Sequence, residues 1–170
     1  MLFPSALRRF TYTTHITSSL AWVGAVIVFI GLALIGLTSA DETTARGAYL
    51  VMEPAAWFAL VPLAHVSLLS GLALCFGTAW GVFRHYWVAS KLVMTVFATG
   101  VLLAYMSTFR EMAGIAGDSR ANLVDVRNPS PLVHGILALA LLLAATWLAV
   151  YKPFGVTPYG RRARAFQANR

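Results

Sequence analysis

The sequence predicts an all-α protein built as a four-helix transmembrane bundle. Of its 170 residues, 59% are hydrophobic and only 11% are charged, whereas a soluble domain is about half apolar and about a quarter charged. Four apolar stretches each approach the roughly 20 residues that a helix needs to cross a hydrocarbon layer about 30 Å thick. Open strands would leave backbone groups unsatisfied in lipid, so each stretch is predicted to be a helix.

The predicted spans cover about 14–38, 54–79, 84–108 and 131–151, within a single integral membrane domain, 1–170. The apolar core of the first span, about 22 residues, exceeds the usual 7–15 of a signal peptide, so we expect no cleavage. Pro62 is predicted to kink the second span. Ser130 is expected to cap the fourth helix and Pro131 to occupy its first position, while "KPFG" after Tyr151 ends it.

The connections between the spans predict their order in the bundle. The turn between spans two and three is very short, which makes them antiparallel neighbours in an up-down-up-down arrangement. The connection from Ser107 to Pro131 is the longest and contains several Gly, Asn, Pro and Asp residues. It is therefore predicted to form turns and one short surface helix.

The distribution of charge predicts that both termini are cytoplasmic. With the N-terminus inside, the cytoplasmic side holds nine of the 13 basic residues: Arg8, Arg9, Arg84, Lys91, Lys152, Arg161, Arg162, Arg164 and Arg170. The six acidic residues all fall outside: Asp41, Glu42, Glu53, Glu111, Asp118 and Asp125. This is the bias of the positive-inside rule. The net charge of +7 therefore requires no nucleic acid, and the tail "RRARAFQANR" is expected to lie on anionic headgroups of the lipid bilayer.

Few residues in the chain carry the chemistry of an enzyme. The single cysteine, Cys75, excludes intrachain disulfides and cysteine-rich metal sites within one chain, and we expect it to be a buried thiol. There is no glycine-rich phosphate loop, nucleophile elbow or HExxH motif. The sequence leaves open whether the protein is an enzyme.

The four histidines carry the functional hypothesis. His15 and His85 lie at the cytoplasmic entrances of spans one and three, His65 lies near mid-membrane in span two, and His134 lies nearer the outer end of span four. Spans one and three are commonly diagonal in such a bundle, as are spans two and four. Inward-pointing diagonal histidines can occupy both axial positions of a b-type haem. The sequence thus predicts one or two haems, held by His15 with His85 and by His65 with His134, although the second pair differs in depth by about 9 Å.

Other residues near these histidines have two interpretations. Arg84 and Lys91 can pair with haem propionates or a substrate carboxylate, or extend to the inner headgroups. Small residues near the histidines, such as Ser18, leave space for a flat macrocycle but also serve helix packing. The Gly77-x-x-x-Gly81 spacing is a helix-packing pattern compatible with a homodimer.

Two segments resemble the copper-resistance protein D family. They are "HITSSLAWVGAVIVFIGLAL" in the first span and "GTAWGVFRHYWVASKLVMTV" at the start of the third. The resemblance is greatest to an uncharacterised group of related bacterial four-span membrane proteins, which implies a multi-pass protein of the bacterial cytoplasmic (inner) membrane. Haem-binding bacterial membrane protoporphyrinogen oxidases share the first-span histidine and third-span Lys-Leu. The resemblance supports His15, Trp22, Gly24, Gly81, Lys91 and Leu92, whereas His65, His85 and His134 rest on geometry alone.

Three functional hypotheses remain open. The first is a small membrane b-type cytochrome for transmembrane electron transfer or quinol-type oxidation, with a quinone or a redox protein as partner. The second is a copper-binding or copper-transporting protein that uses His15, His65 and methionines, among which Met52, Met106 and Met112 lie towards the outer side. The third is a cofactor-free accessory membrane subunit whose histidines are interfacial or hydrogen-bonded.

Overall fold

The computed structural model describes residues 3–78, 81–153 and 155–162, and within them the protein is all-α. The elements are α1 (Ser5–Thr38), α2 (Glu42–Ala55), a π-helical segment (Ala56–Leu60), α3 (Val61–Gly77), α4 (Tyr86–Gly117), α5 (Leu123–Val126) and α6 (Ser130–Tyr151). The segment from α2 to α3 is continuous, so four long apolar helical columns result. Their helix length and hydropathy make this a multi-pass membrane protein, as predicted.

The four columns pack as a bundle in which sequence neighbours are also spatial neighbours. The first column, α1, packs against α2–α3 and against α6, and α4 packs against the same two partners from the opposite side. Spans one and three are therefore diagonal, and so are spans two and four. The prediction of a four-helix bundle is confirmed.

Hydrogen bonds at the two ends of the bundle show that the columns alternate in direction. At one end, the Phe3 N–H donates to the carbonyl of Gly77 at 2.9 Å, and the Thr157 N–H donates to the carbonyl of Arg84 at 3.0 Å. We call this the basic end, because Arg8, Arg9, Arg84, Lys152, Arg161 and Arg162 lie towards it. The opposite end carries all six acidic residues and is called the acidic end. There Arg46 of α2 donates to the carbonyl of Ala116 at the end of α4.

The helices extend beyond the predicted spans at both ends of the bundle. The first helix begins at Ser5 rather than near residue 14, the second column begins at Glu42 rather than near residue 54, and α4 continues to Gly117 rather than ending near residue 108. Hydropathy marks only the lipid-facing part of a helix, whereas local capping extends it. Asp41, for example, accepts a hydrogen bond from the Thr44 N–H at 2.8 Å and so starts α2.

The second column departs from α geometry next to its prolines. In the π-helical segment the Val61 N–H donates to the carbonyl of Ala56, five residues earlier. Pro62 has no N–H to donate to the carbonyl of Phe58. The irregularity that Pro62 predicts is thus a π-helical turn just before it.

Two details of the predicted helix ends need correction. Ser130 is the first residue of α6 rather than its cap, and Asn128 Oδ1 instead accepts from the Ser130 N–H at 2.9 Å. Gly77 ends α3 whereas Gly81 lies in the following turn with φ +57°. The two glycines therefore do not share a helix face, and their spacing is not a helix-packing motif. The prediction that α6 ends at Tyr151 is confirmed.

The hydrophobic core fills the acidic half of the bundle. Phe29 of α1 meets Phe109 of α4 across the diagonal, with ring centroids 5.6 Å apart, and Phe109 meets Tyr105 at 5.0 Å. Tyr49 and Met52 of α2 are fully buried beside them. Large side chains thus fill the space between the diagonal helices α1 and α4 in this half, and the open space of the bundle lies in the basic half.

Candidate functional site

A cavity of about 620 Å³ lies in the basic half, between the four columns. Small-molecule and cofactor sites commonly have volumes of about 300–1,000 Å³. The cavity is lined by Arg8, Arg9, Tyr12, His15 and Ile16 of α1, by Ser67, Leu68, Gly71, Leu74 and Cys75 of α3 with Thr78 just after it, by Trp87, Val88, Lys91, Leu92 and Thr95 of α4, and by Ala149 with Lys152 at the end of α6.

His15 is held in this wall by hydrogen bonds to α3. Its Nδ1–H donates to the carbonyl oxygen of Ser67 at 3.0 Å, and the hydroxyl oxygen of Ser70 lies 3.2 Å from the same nitrogen. With the proton on Nδ1, a neutral imidazole keeps its lone pair on Nε2. Metal-binding histidines almost always donate the other ring N–H to a carbonyl or carboxylate in this way, which fixes the ring and raises its basicity.

Small residues allow α1 and α3 to approach closely around His15. Ser19 Oγ and Ser67 Oγ form a hydrogen bond of 2.7 Å, and Ser18 Oγ donates to the carbonyl of His15 at 3.2 Å. A Cβ at Gly71 would stand only 3.0 Å from the imidazole. Ser19 therefore joins α1 to α3, whereas Ser18 bonds within α1, and the space for a ligand lies elsewhere along the same wall.

The cavity is positively charged and lacks acidic side chains. Lys91 is partly buried in its wall, and Arg8 and Arg9 lie towards its exposed side. None of the acidic residues lines it; all six lie at the acidic end. Within the described chain Lys91 makes no ion pair. A cation in a low-dielectric wall without a protein counter-ion favours an anionic ligand.

Another part of the wall is apolar. Leu68 and Leu74 of α3 face the cavity together with Val88 and Leu92 of α4. An apolar wall beside a group of cations suits an amphiphile, because its apolar body leaves water while its acid groups remain paired.

The structure does not place His85 and Arg84 in this wall. His85 precedes the first turn of α4, is 8% exposed and forms an isolated β-bridge with Val156. Among the described residues, His15 is the one histidine that lines the cavity. Arg84 instead lines a second cavity of about 210 Å³ with Tyr159. The predicted pair of His15 and His85 thus shares neither a wall nor a cavity.

His65 and His134 are also apart. The Tyr49 hydroxyl bonds the backbone of Asn128, which sets these two residues at the same level of the acidic end. His65 lies sixteen residues beyond Tyr49, or about 24 Å along the column, whereas His134 lies six residues beyond Asn128, or about 9 Å. The resulting difference of about 15 Å in depth is too large for two axial ligands of one iron.

Each of these two histidines has a local partner. His65 Nδ1–H donates to the carbonyl of Val61 at 2.7 Å within its own helix. His134 is exposed, its Nδ1–H donates to the carbonyl of Ser130 at 2.9 Å, and its ring lies 4.3 Å from that of Tyr105. Across residues 3–78, 81–153 and 155–162, no group of three or more His, Cys, Asp or Glu side chains is arranged to hold a metal ion.

The methionines of the copper hypothesis belong to the hydrophobic core. Met52, Met106 and Met112 are between 0% and 5% exposed and belong to the same buried cluster as Phe29 and Phe109. Filling irregular space in a core is the common role of methionine. Copper binding by these thioethers stays a prediction.

Sequence reasoning did not identify several residues of the cavity. Ser67, Gly71 and Leu74 lie at helical spacing on α3, and Thr78 follows the helix directly. This stripe of mostly small or polar residues in an apolar span was the available signal. Cys75 and Trp87 also line the cavity. No spacing in the sequence indicates them, because their place depends on how far the helices separate in the basic half.

Comparisons with protein-family models, with curated proteins and with solved structures find no match to this chain. The resemblance of its first and third spans to the copper-resistance protein D family therefore stays a prediction.

Proposed function

We propose that this protein is a small membrane b-type cytochrome that binds one haem in the cavity at its basic end. The observation that carries the proposal is the Nδ1–H of His15 donating to the Ser67 carbonyl at 3.0 Å, in the wall of a 620 Å³ cavity. Nε2 of His15 would then be free to hold the haem iron. We propose one haem rather than two, because the other three histidines lie outside the cavity and at different depths.

The residues of the cavity fit the parts of a haem. His15 supplies an imidazole, and the leucines of α3 and α4 supply an apolar wall for the macrocycle. Lys91, Arg8 and Arg9 supply cations for the two propionates. Arg84, which the sequence also suggested for the propionates, lines the smaller cavity instead.

When bound, haem supplies one-electron transfer, and the protein supplies ligation, burial and charge. His15 would hold the iron through a ring whose orientation is fixed by its hydrogen bond to Ser67 of α3. Arg8, Arg9 and Lys91 would lower the free-energy cost of burying the propionates. Under the positive-inside rule the basic end is cytoplasmic. We propose that the electrons come from a lipid-soluble quinol or a redox partner at the cytoplasmic membrane.

The test is a visible absorption spectrum of the detergent-purified protein, oxidised and dithionite-reduced, with the haem content per chain. Cells are supplied with ample haem precursor. His15→Ala should lose most of the haem, and His65→Ala is the matched control because His65 is a partly buried membrane histidine outside the cavity. Lys91→Met should retain the iron ligand but bind haem more weakly. Size-exclusion chromatography and circular dichroism verify that each variant is folded.

Three results would contradict the proposal. A colourless wild-type protein would exclude a b-type cytochrome, and its copper content would then distinguish copper binding from an accessory role. Full haem content in folded His15→Ala would exclude His15 as the ligand. Equal haem loss in His15→Ala and His65→Ala would remove the distinction between the cavity and the rest of the bundle.

A further inference from the structure

The exposed side chains around the cavity lie on two helices. The lining residues of α3 and α4 are all buried or partly buried, whereas Tyr12 and Ile16 of α1 are 57% and 43% exposed. On α6 the lining consists of Ala149 and the exposed Lys152. The exposed part of the lining thus belongs to α1 and to the end of α6, and the side of the cavity between these two helices is called the opening.

The opening lies in the basic half of the bundle, where its flanking residues Tyr12, Ile16 and Ala149 are found. In the acidic half α1 and α6 are in close contact: a Cβ at Gly135 would stand 2.8 Å from Cγ1 of Ile30. Nearer the basic end, α6 lines the cavity with the small side chain of Ala149, and Lys152 follows directly after the helix. In the wall of the cavity, the end of α6 therefore contributes only one small side chain, Ala149, and the Lys152 side chain.

The opening spans the boundary between headgroups and hydrocarbon. Arg8 and Arg9 precede the apolar part of α1, and Ile16 lies about two turns further in, or about 11 Å at about 1.5 Å per residue. Cations therefore stand at the level of the headgroups, and apolar side chains stand at the level of the acyl chains. An amphiphile in the bilayer would meet this opening with its acid group and its apolar body at matching depths.

We infer that the cavity takes an anionic amphiphile dissolved in the bilayer, which enters sideways between α1 and α6, past Ala149. This inference rests on the proposed function, because haem, an apolar macrocycle with two carboxylate groups, is the ligand expected there. The inference adds the class of ligand and its route. A ligand in the aqueous phase would instead have to pass the end of the bundle.

Cys75 provides a reporter that does not depend on haem. It is the single cysteine of the chain and lines both this cavity and the smaller one of about 210 Å³. The protein is reconstituted into vesicles of phosphatidylcholine and phosphatidylglycerol, and mass spectrometry follows the labelling of Cys75. One reagent is an N-alkyl maleimide that partitions into the bilayer, and the other is a sulfonated maleimide confined to water.

The variants place a large side chain in the opening or beside it. Ala149→Trp narrows the opening, and Ala144→Trp is the matched control because Ala144 is exposed on the same helix and does not line the cavity. We expect Ala149→Trp to slow labelling by the alkyl maleimide about ten-fold, and Ala144→Trp to leave it unchanged. If Ala149→Trp does not fold, Ile16→Trp narrows the same opening from α1.

The outcomes separate this inference from the proposed function. Equal labelling by the alkyl maleimide in folded Ala149→Trp and wild type would overturn the sideways route. The route would also be overturned if Ala149→Trp slowed the labelling of Cys75 by the sulfonated maleimide alone. A colourless wild-type protein that shows the Ala149→Trp effect would overturn haem binding and support the route. A wild-type protein that binds haem, together with alkyl-maleimide labelling that Ala149→Trp does not slow, would support haem binding and overturn the route.

Discussion

Gly71 of α3 lies against the imidazole of His15 on α1, so closely that a Cβ at position 71 would stand 3.0 Å from His15 Cε1 and 3.4 Å from Nδ1. The missing side chain lets the imidazole reach the Ser67 carbonyl, one turn earlier on the same helix. Gly71 thus helps to fix the orientation of the His15 imidazole in the cavity wall. The orientation of His15, the proposed iron ligand, thus depends on Gly71, a residue without a side chain.

Gly71→Ala is therefore expected to weaken haem binding more than it weakens folding. The new methyl group pushes the imidazole towards the open cavity by a few tenths of an ångström and lengthens the Nδ1–Ser67 bond. Overpacking costs about 1–3 kcal/mol in a closed core, and the neighbouring cavity should reduce that cost. Haem titration of the apoprotein measures the effect, which we expect to be about ten-fold in Kd.

Gly100→Ala is the control for this prediction, because a Cβ at Gly100 meets nothing within 4 Å. It should bind haem as the wild type does. Unchanged affinity in Gly71→Ala, with the protein folded, would show that the contact between Gly71 and His15 does not orient the ligand.

The fold could be predicted from composition and periodicity, but the extent of the helices could not. Four apolar stretches and short connections are enough to specify a four-helix bundle. The first turns of α2 are polar, however, and depend on Asp41 and on the pairing of Arg46 with Glu42 at 2.8 Å. Hydropathy does not report such local hydrogen bonds, so the predicted spans stopped short of them.

The candidate site was only partly predictable for a related reason. The sequence identified His15 and Lys91, since a titratable side chain in an apolar span is rare. It could not assign the partners of the histidines. Whether His15 faces His85 or Ser67 depends on the rotation of each helix about its axis, and a 3.6-residue period leaves that rotation undetermined when most faces are apolar.

Arg46 is expected to stabilise the acidic end by satisfying carbonyl groups at the end of α4. Its guanidinium donates to the carbonyls of Ala116 and Asp118 at 3.1 and 3.0 Å and also to that of Ala121, and its side chain is only 15% exposed. Hydrogen bonds to a charged donor contribute about 1.5–3 kcal/mol. Arg46→Ala should lower the free energy of unfolding by about 2 kcal/mol, measured by reversible unfolding in mixed SDS and detergent micelles.

Arg110→Ala tests whether this effect is specific. Arg110 pairs with Glu53 at 3.3 Å, but its side chain is 72% exposed. Exposed ion pairs contribute little, so the change in free energy of unfolding should stay within about 0.5 kcal/mol. Equal destabilisation by the two substitutions would show that Arg46 acts through charge alone.

A side chain at Gly36 on α1 is expected to destabilise the fold, because Tyr49 occupies the space beside this glycine. A Cβ there would lie 2.7 Å from Cε2 of the Tyr49 ring. That ring is fully buried, and its hydroxyl bonds the backbone of Asn128. Gly36→Ala should therefore cost about 1–3 kcal/mol through overpacking. Gly24→Ala on the same helix meets nothing within 4 Å and should be neutral or stabilising by up to about 1 kcal/mol, so equal effects in the unfolding assay would refute the packing argument.

Asp41 is expected to make the start of α2 sensitive to acid. Hydrogen bonds from the Thr44 hydroxyl, at 2.6 Å, and from the Thr44 N–H hold the pKa of the Asp41 carboxyl below its ordinary value. The folded state thus favours the carboxylate, so the stabilisation is complete above the ordinary carboxyl pKa of about 4 and is lost as the pH falls through the lowered pKa. In Asp41→Asn the amide oxygen still caps the helix but does not titrate. Hydrogen exchange of the Thr44 amide, corrected for intrinsic rates, should accelerate on acidification in the wild type alone. The same acceleration in Asp41→Asn would assign it to another group.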